Sequence, residues 1–196
     1  MLIGLTGGIG SGKTTIANAL RGRGYEVYDT DSAAKRLVMT SPVRQAIENL
    51  LGEDVYDGDC YISSKVAQRV FANAGLLQQL NDIIHPVVRQ DLKQTAQEHN
   101  KGLLFVESAI LYESGFDIDC DYIIAVIAPK PLRIARTMAR DNKTEEQVKS
   151  RIKAQMSNCQ LRHRADYVVE NNGKMTVTQL VDKLMRHLRK MNFITQ

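Results

Sequence analysis

The chain opens Met1-Leu-Ile-Gly-Leu-Thr-Gly-Gly-Ile-Gly-Ser-Gly-Lys-Thr-Thr15. Residues 1–5, MLIGL, are an apolar run of strand length. Gly7 to Thr14 then fit the pattern GxxxxGK[ST], and residues 13–20 read as a helix. A strand, a glycine loop and a helix start in that order are the context a phosphate-binding P-loop requires. The glycines let successive backbone N–H groups turn inward into an anion nest, and the helix end adds unpaired amides and a positive dipole. Gly8, Gly10, Ser11 and Gly12 therefore form an expected ATP cradle. Lys13 reaches the β- and γ-oxygens, Thr14 offers its hydroxyl to a Mg²⁺ ion carried with ATP, and Thr15 is next in line for the α-phosphate. A chance lysine beside a flexible turn is the bland alternative, and the complete motif in its proper setting disfavours it.

Outward from the loop, residues 25–28 give a second strand after the helix stop RGRG. Apolar runs at 103–106 and 122–127 supply central strands, and 166–169 supplies a fifth. The expected fold is α/β, a P-loop NTPase parallel sheet sandwiched by helices. The stretch between the second and third strands is longer than one crossover helix needs. Val43, Ile47, Leu50 and Leu51 recur at helical spacing, as do Leu76, Leu77, Leu80, Ile83 and Ile84. Pro86 suits the first turn of a helix over 87–98. The excess predicts a helical substrate-binding insertion at 36–99 within a discontinuous core of 1–35 and 100–196. Residues 131–155 carry Arg133, Arg136, Arg140, Lys143, Lys149, Arg151 and Lys153, with a polar turn at 141–144 and Thr144 set to cap the next helix with Gln147. That basic hairpin has the form of a lid, with a solvated hairpin as the alternative. Residues 177–190 form a closing helix with Leu180, Val181, Leu184 and Leu188 on one face.

Composition narrows the classes. A hydrophobic fraction of 43% allows a globular core, and no apolar run is long enough for a membrane span. The N-terminus lacks a secretory pattern, so a cytoplasmic protein with no membrane partner is expected. Three dispersed cysteines with no CxxC pair suit reduced thiols and signal neither zinc nor a disulfide framework. A formal charge of +4 suits anionic ligands, but Trp is absent and no aromatic residues interleave with the basic ones, so nucleic acid is not expected as a partner. The P-loop alone admits GTPases, ATPases and helicases. The missing NKxD string, the small size and the helical insertion favour a nucleoside or metabolite kinase, with an ATP-binding switch or adaptor as the rival of another class.

Two acids follow the second strand in Val27-Tyr-Asp-Thr-Asp31, at the sheet edge where ligands bind in open α/β folds. A phosphoryl acceptor needs a carboxylate to orient its hydroxyl and take its proton. Asp31 is the preferred candidate, with Asp29 as an alternative or an indirect Mg²⁺ ligand, and either could instead cap the helix starting near Ser32. Glu107 follows the third strand, where a Walker-B acid would act on metal-bound water, touch the acceptor, or serve structure alone.

With these residues in hand, the chain resembles the dephospho-CoA kinase family over nearly its full length. The resemblance is carried by LTGGIGSGKTT at 5–15, YDTDSAAKRL at 28–37, IIHPVVR at 83–89, VESAILYESGFD at 106–117, RTMARDNKT at 136–144, the glutamine of RIKAQM at 151–156 and ADYVVENNG at 165–173. It implies a P-loop core, a helical coenzyme-binding domain, a mobile lid, and transfer of the ATP γ-phosphate to the ribose 3′-hydroxyl of dephospho-coenzyme A. It implies Asp31 as the activating acid, and Arg140 with its neighbour Arg136 as lid arginines near the ATP phosphates. Asn172 and Gly173 would line the adenine pocket, and His85 with Pro86 would lie close to the acceptor. Ser108 to Glu113 departs from the family's Pro-Leu-Leu-Phe-Glu string, and Tyr112 adds a hydroxyl at a position expected to meet the acceptor. Arg133 stands where a glutamine is common and adds positive charge to the lid. The sequence does not fix oligomeric state, with a monomer the working expectation.

Overall fold

A computed structural model describes residues 1–71, 73–99 and 102–194. The chain divides into two compact units, Met1–Asp29 with His99–Gln196, and Thr30–Glu98. In the first unit the apolar runs become strands β1 (Leu2–Thr6), β2 (Glu26–Asp29), β5 (Leu104–Ser108), β6 (Tyr122–Ile127) and β7 (Tyr167–Glu170). They form one parallel sheet in the order β2-β5-β1-β6-β7. Every residue of β1, β5 and β6 is buried, which is what a sheet covered on both faces demands.

Helices α1 (Lys13–Arg21) and α9 (Val177–Lys190) pack together on one face. Ile16, Ala17 and Leu20 of α1 and Leu180, Val181, Leu184 and Leu188 of α9 close over Ile3, Leu5, Phe105, Ile124 and Val126. Each large side chain so buried contributes about 1.5–3 kcal/mol relative to exposure. On the other face Ala125 and Ile127 meet Leu161 of α8 (Asn158–Arg164), with Tyr112 packed against them. The sequence reading did not anticipate α8, a short helix closed by a Ser157–Gln160 capping box. Helices α6 (Lys130–Asp141) and α7 (Glu145–Lys153) form the basic hairpin. Asn142 ends α6 in the left-handed region at φ 50°, and Thr144 and Gln147 make the anticipated reciprocal cap.

The second unit holds α2 (Thr30–Leu37), α3 (Ser41–Leu51), a hairpin of β3 (Tyr56–Asp57) with β4 (Cys60–Tyr61), α4 (Ser63–Phe71) and α5 (Ala74–Glu98). Its own core gathers Val43, Ile47, Leu51, Val55, Tyr56, Val66 and Leu80. The Tyr56 hydroxyl donates to the Val38 carbonyl at 2.8 Å, and the Arg44 guanidinium lies 4.6 Å from the Tyr56 ring centre. The unit begins at Thr30, ahead of the 35/36 boundary expected from sequence, because α2 packs on α5.

Pro86 does not open a helix; it lies inside α5, which runs unbroken from Ala74 to Glu98. Proline offers no N–H to the carbonyl four residues back and crowds it, at a cost of about 3 kcal/mol. Apolar side chains on both sides of Pro86, from Leu76, Leu80, Ile83 and Ile84 to Val87, face one core and carry the helix through. Among the described residues no helix is long and apolar enough to cross a membrane.

Candidate active site

All five strands of the sheet run the same way, so their C-terminal ends share one edge, where ligands bind in open α/β sheets. Thr6 pairs with Ser108 and Ala125, and Asp29 pairs with Glu107. That register brings the loop after β1 beside the acid at the end of β5. Gly12 caps α1 in the left-handed region at φ 92°, and a Cβ there would strike the Asn171 amide, so only glycine fits. No side chain caps α1 and no acid occupies its first turn, which leaves that end suited to an anion.

Lys13 is buried and its Nζ donates to Glu107 Oε1 at 2.7 Å. The Thr14 hydroxyl donates to the same oxygen at 2.6 Å. Arg21 stands 3.8 Å from the other carboxylate oxygen. Glu107, only 2% exposed, thus fixes the two P-loop side chains whose chemistry the motif supplies. Adjacent carboxylate and hydroxyl oxygens are the hard donors a divalent cation takes, so the residues present fit the metal that ATP brings. Ser11 is buried within the loop, while Thr15 is exposed on the first turn of α1.

Arg136 reaches this unit's P-loop from α6. Its guanidinium donates to the Asn171 carbonyl at 3.3 Å, to Asn171 Oδ1 at 3.2 Å and to the Ser11 carbonyl at 3.5 Å. Asn171 in turn donates from Nδ2 to the Ser11 carbonyl at 2.9 Å. Asn171 is therefore the residue of the Asn-Asn-Gly segment that ties the last strand to the P-loop, and the sequence reading named only its neighbours. Asn172 lines a cavity of about 240 Å³ with Ile127, Ala128, Pro129, Asn158, Arg162 and Glu170. Its Oδ1 accepts from the Lys174 amide at 3.0 Å, which shapes the turn around Gly173.

The remaining candidates lie outside the P-loop segment itself. Arg140 is exposed and forms a two-point bond to Asp141 at 2.6 and 3.0 Å. Arg133 is not solvated lid charge: it is 3% exposed, and its Nε donates to the Ile9 carbonyl at 2.9 Å. The Tyr112 ring lies under the Arg164 guanidinium at 4.0 Å and packs on the Ala125–Leu161 cluster. Burial pushes the Tyr112 phenol up to about 12, and its buried hydroxyl meets no hydrogen-bond partner among the described residues. Asp31 and His85 belong to the Thr30–Glu98 unit. Asp31 lies in the exposed first turn of α2, inside the helix rather than ahead of it as a cap. His85 is half-buried in α5, and burial lowers its imidazole pKa against a weaker opposing effect of Asp82.

A parallel sheet with a complete P-loop, a buried acid on its lysine and an arginine-bearing helix over the loop defines the P-loop kinases. A shikimate kinase from Acinetobacter baumannii shares the fold at a TM-score of 0.60 and 18% identity, covering 96% of this chain and 93% of that one. The dephospho-CoA kinase family model matches residues 1–176, and the chain belongs to that family. A dephospho-CoA kinase of Porphyromonas gingivalis is 44% identical over 154 residues, 78% of this chain and 76% of that protein. A crystallised Thermus thermophilus protein superposes with a TM-score of 0.87 at 32% identity, covering 100% of this chain and 98% of that one.

Proposed function

We propose that this kinase transfers the γ-phosphate of ATP to the ribose 3′-hydroxyl of dephospho-coenzyme A, giving coenzyme A and ADP. The observation that carries the chemistry is the Lys13–Glu107–Thr14 constellation at the P-loop. The acceptor rests on membership of the family. Glu107 holds the Lys13 ammonium at the loop, so the charge that meets a triphosphate is already ordered. Mg²⁺ is the divalent ion of this reading, held by Thr14 with Glu107 or Asp29 acting through water, and it would neutralise phosphate charge.

Asp31 orients the acceptor hydroxyl and takes its proton as the new P–O bond forms. His85 and the rest of the Thr30–Glu98 unit bind the acceptor's remote parts, which contributes alignment rather than chemistry. Arg136 and Arg140 offset charge on the transferring oxygens, with Arg140 exchanging Asp141 for phosphate. Closure of the hairpin tip excludes water and suppresses hydrolysis of ATP. Gly173 and Asn172 take the adenine. ADP release measured with and without dephospho-CoA tests the assignment, with the position of the new phosphate read by NMR. ADP formation that dephospho-CoA fails to stimulate would sink it.

A further inference from the structure

The P-loop crown, Gly8 to Gly10, is held from outside by the two ends of the basic hairpin. The Ile9 amide donates to Gln155 Oε1 at 2.8 Å, and the Ile9 carbonyl accepts from Arg133 Nε at 2.9 Å. Arg133 stands at the start of the hairpin and Gln155 just past its return, so both arms of the hairpin grip one loop residue. The grip is itself secured. Arg133 Nη1 donates to Asn158 Oδ1 at 3.4 Å, and Asn158 Nδ2 donates to the Ala128 carbonyl at 2.8 Å. The Met156 amide, beside Gln155, donates to Glu113 Oε1 at 3.0 Å.

Two P-loop glycines also answer to this contact. A Cβ on Gly8 would enter the Arg133 guanidinium, and one on Gly10 would enter the Arg133 carbonyl and the Thr137 hydroxyl. Glycines leave a loop with more conformational freedom to lose than any other residues, so a nest made of them binds tightly only when something else orders it. The Ile9 amide, spent on Gln155, is unavailable to phosphate, which marks the clamp as external to the cradle.

We propose that Arg133 and Gln155 are positioning residues that pre-order the P-loop for nucleotide through opposite sides of Ile9. The inference rests on the nucleotide reading of the P-loop and adds to it two residues outside the motif. It also divides the hairpin: its two ends are anchored on the core, and the part left to move lies around the Asp141–Thr144 turn.

The test is Gln155→Leu, which removes the acceptor oxygen and keeps the side chain's bulk, with Arg133→Lys as the second variant. Calorimetry with Mg·ADP should read an affinity about tenfold weaker for Gln155→Leu, the scale of one lost hydrogen bond. The KM for ATP should rise in step while the KM for dephospho-CoA stays put, a split that general loosening of the fold would not give. Arg133→Lys keeps a donor and the charge but loses the fork, and should fall between wild type and Gln155→Leu. A change of less than about threefold for Gln155→Leu, or an equal rise in both KM values, overturns the proposal. The binding arm uses no acceptor, so its failure is distinct from failure of the acceptor assignment. Should Gln155→Leu fold poorly, exchange of the Ile9 amide in the wild-type chain decides: slow exchange supports the clamp, and exchange as fast as in an open loop defeats it.

Discussion

Glu107 shows how one buried atom can order a site. Its Oε1 receives both the Lys13 ammonium and the Thr14 hydroxyl, so neither side chain has to be found and frozen when nucleotide arrives. In the proposed mechanism Asp31 has a different task, and its replacement separates binding from chemistry. Asp31→Asn should lower kcat by about a hundredfold or more while nucleotide affinity holds, measured by turnover and calorimetry on the same preparation. Near-normal turnover would remove Asp31 from the base role. Tyr112 carries a structural cost, a buried hydroxyl without a partner among the described residues. Tyr112→Phe keeps the ring beneath Arg164 and should raise unfolding stability by about 1 kcal/mol in urea titrations, with turnover unchanged. A loss of acceptor affinity in that variant would instead give the hydroxyl a role in binding. The P-loop residues were legible because Gly7 to Thr14 encode their chemistry in consecutive positions. Asn171, Gln155 and the buried state of Arg133 were not, because each acts on the loop from more than a hundred positions away, at separations of 160, 146 and 124.

Secondary elements were legible in proportion to their burial. Strand β6 lies at the residues its apolar run marks, and β1, β2, β5 and β7 shift only at their ends, where pattern gives way to hydrogen-bond geometry. The β3–β4 hairpin has two residues in each strand, too few to show a period, and owes its place to Tyr56 and Arg44. Helix α5 failed as a sequence reading for the opposite reason. Local propensity says stop at Pro86, and the apolar stripe that continues past it wins. This makes Pro86 a measurable expense. Pro86→Ala restores a donor for the carbonyl four residues back and should stabilise the Thr30–Glu98 unit by about 1–3 kcal/mol. Hydrogen exchange along α5 reports the gain locally, and a proline held for function predicts a simultaneous rise in the KM for the acceptor. Slower exchange with an unchanged KM would leave Pro86 without a functional reason.

At the scale of the molecule, each unit carries a histidine whose pKa folding lowers. In the sheet unit His187 accepts or donates at 2.9 Å with the Tyr122 hydroxyl and stacks on the Tyr167 ring at 3.9 Å, while Phe193 closes edge-on against Tyr122. Burial, then the charge of Lys190, lowers its pKa from 6.5. Arg186 adds a second cation beside Tyr167, and Asp166 presents its carbonyl to the Tyr122 hydroxyl. In the helical unit burial lowers His85 from the same value. Because both folded pKa values lie below the unfolded one, the unfolded chain binds protons more readily through this range. The stability these groups contribute is whole above pH 6.5 and drains away as pH falls through 6.5 towards the depressed folded values. Urea unfolding at pH 7.5, 6.5 and 5.5 should therefore show falling stability in both units. His187→Phe keeps the stack and removes the proton, and should flatten the dependence in the sheet unit while leaving that of the helical unit, read through exchange of α5 amides. The chain divides into two compact units, so local probes rather than a single midpoint carry the comparison. Stability that stays level between pH 7.5 and 5.5, or a His187→Phe variant with an undiminished slope, would show that the charge on these rings does not matter to the fold.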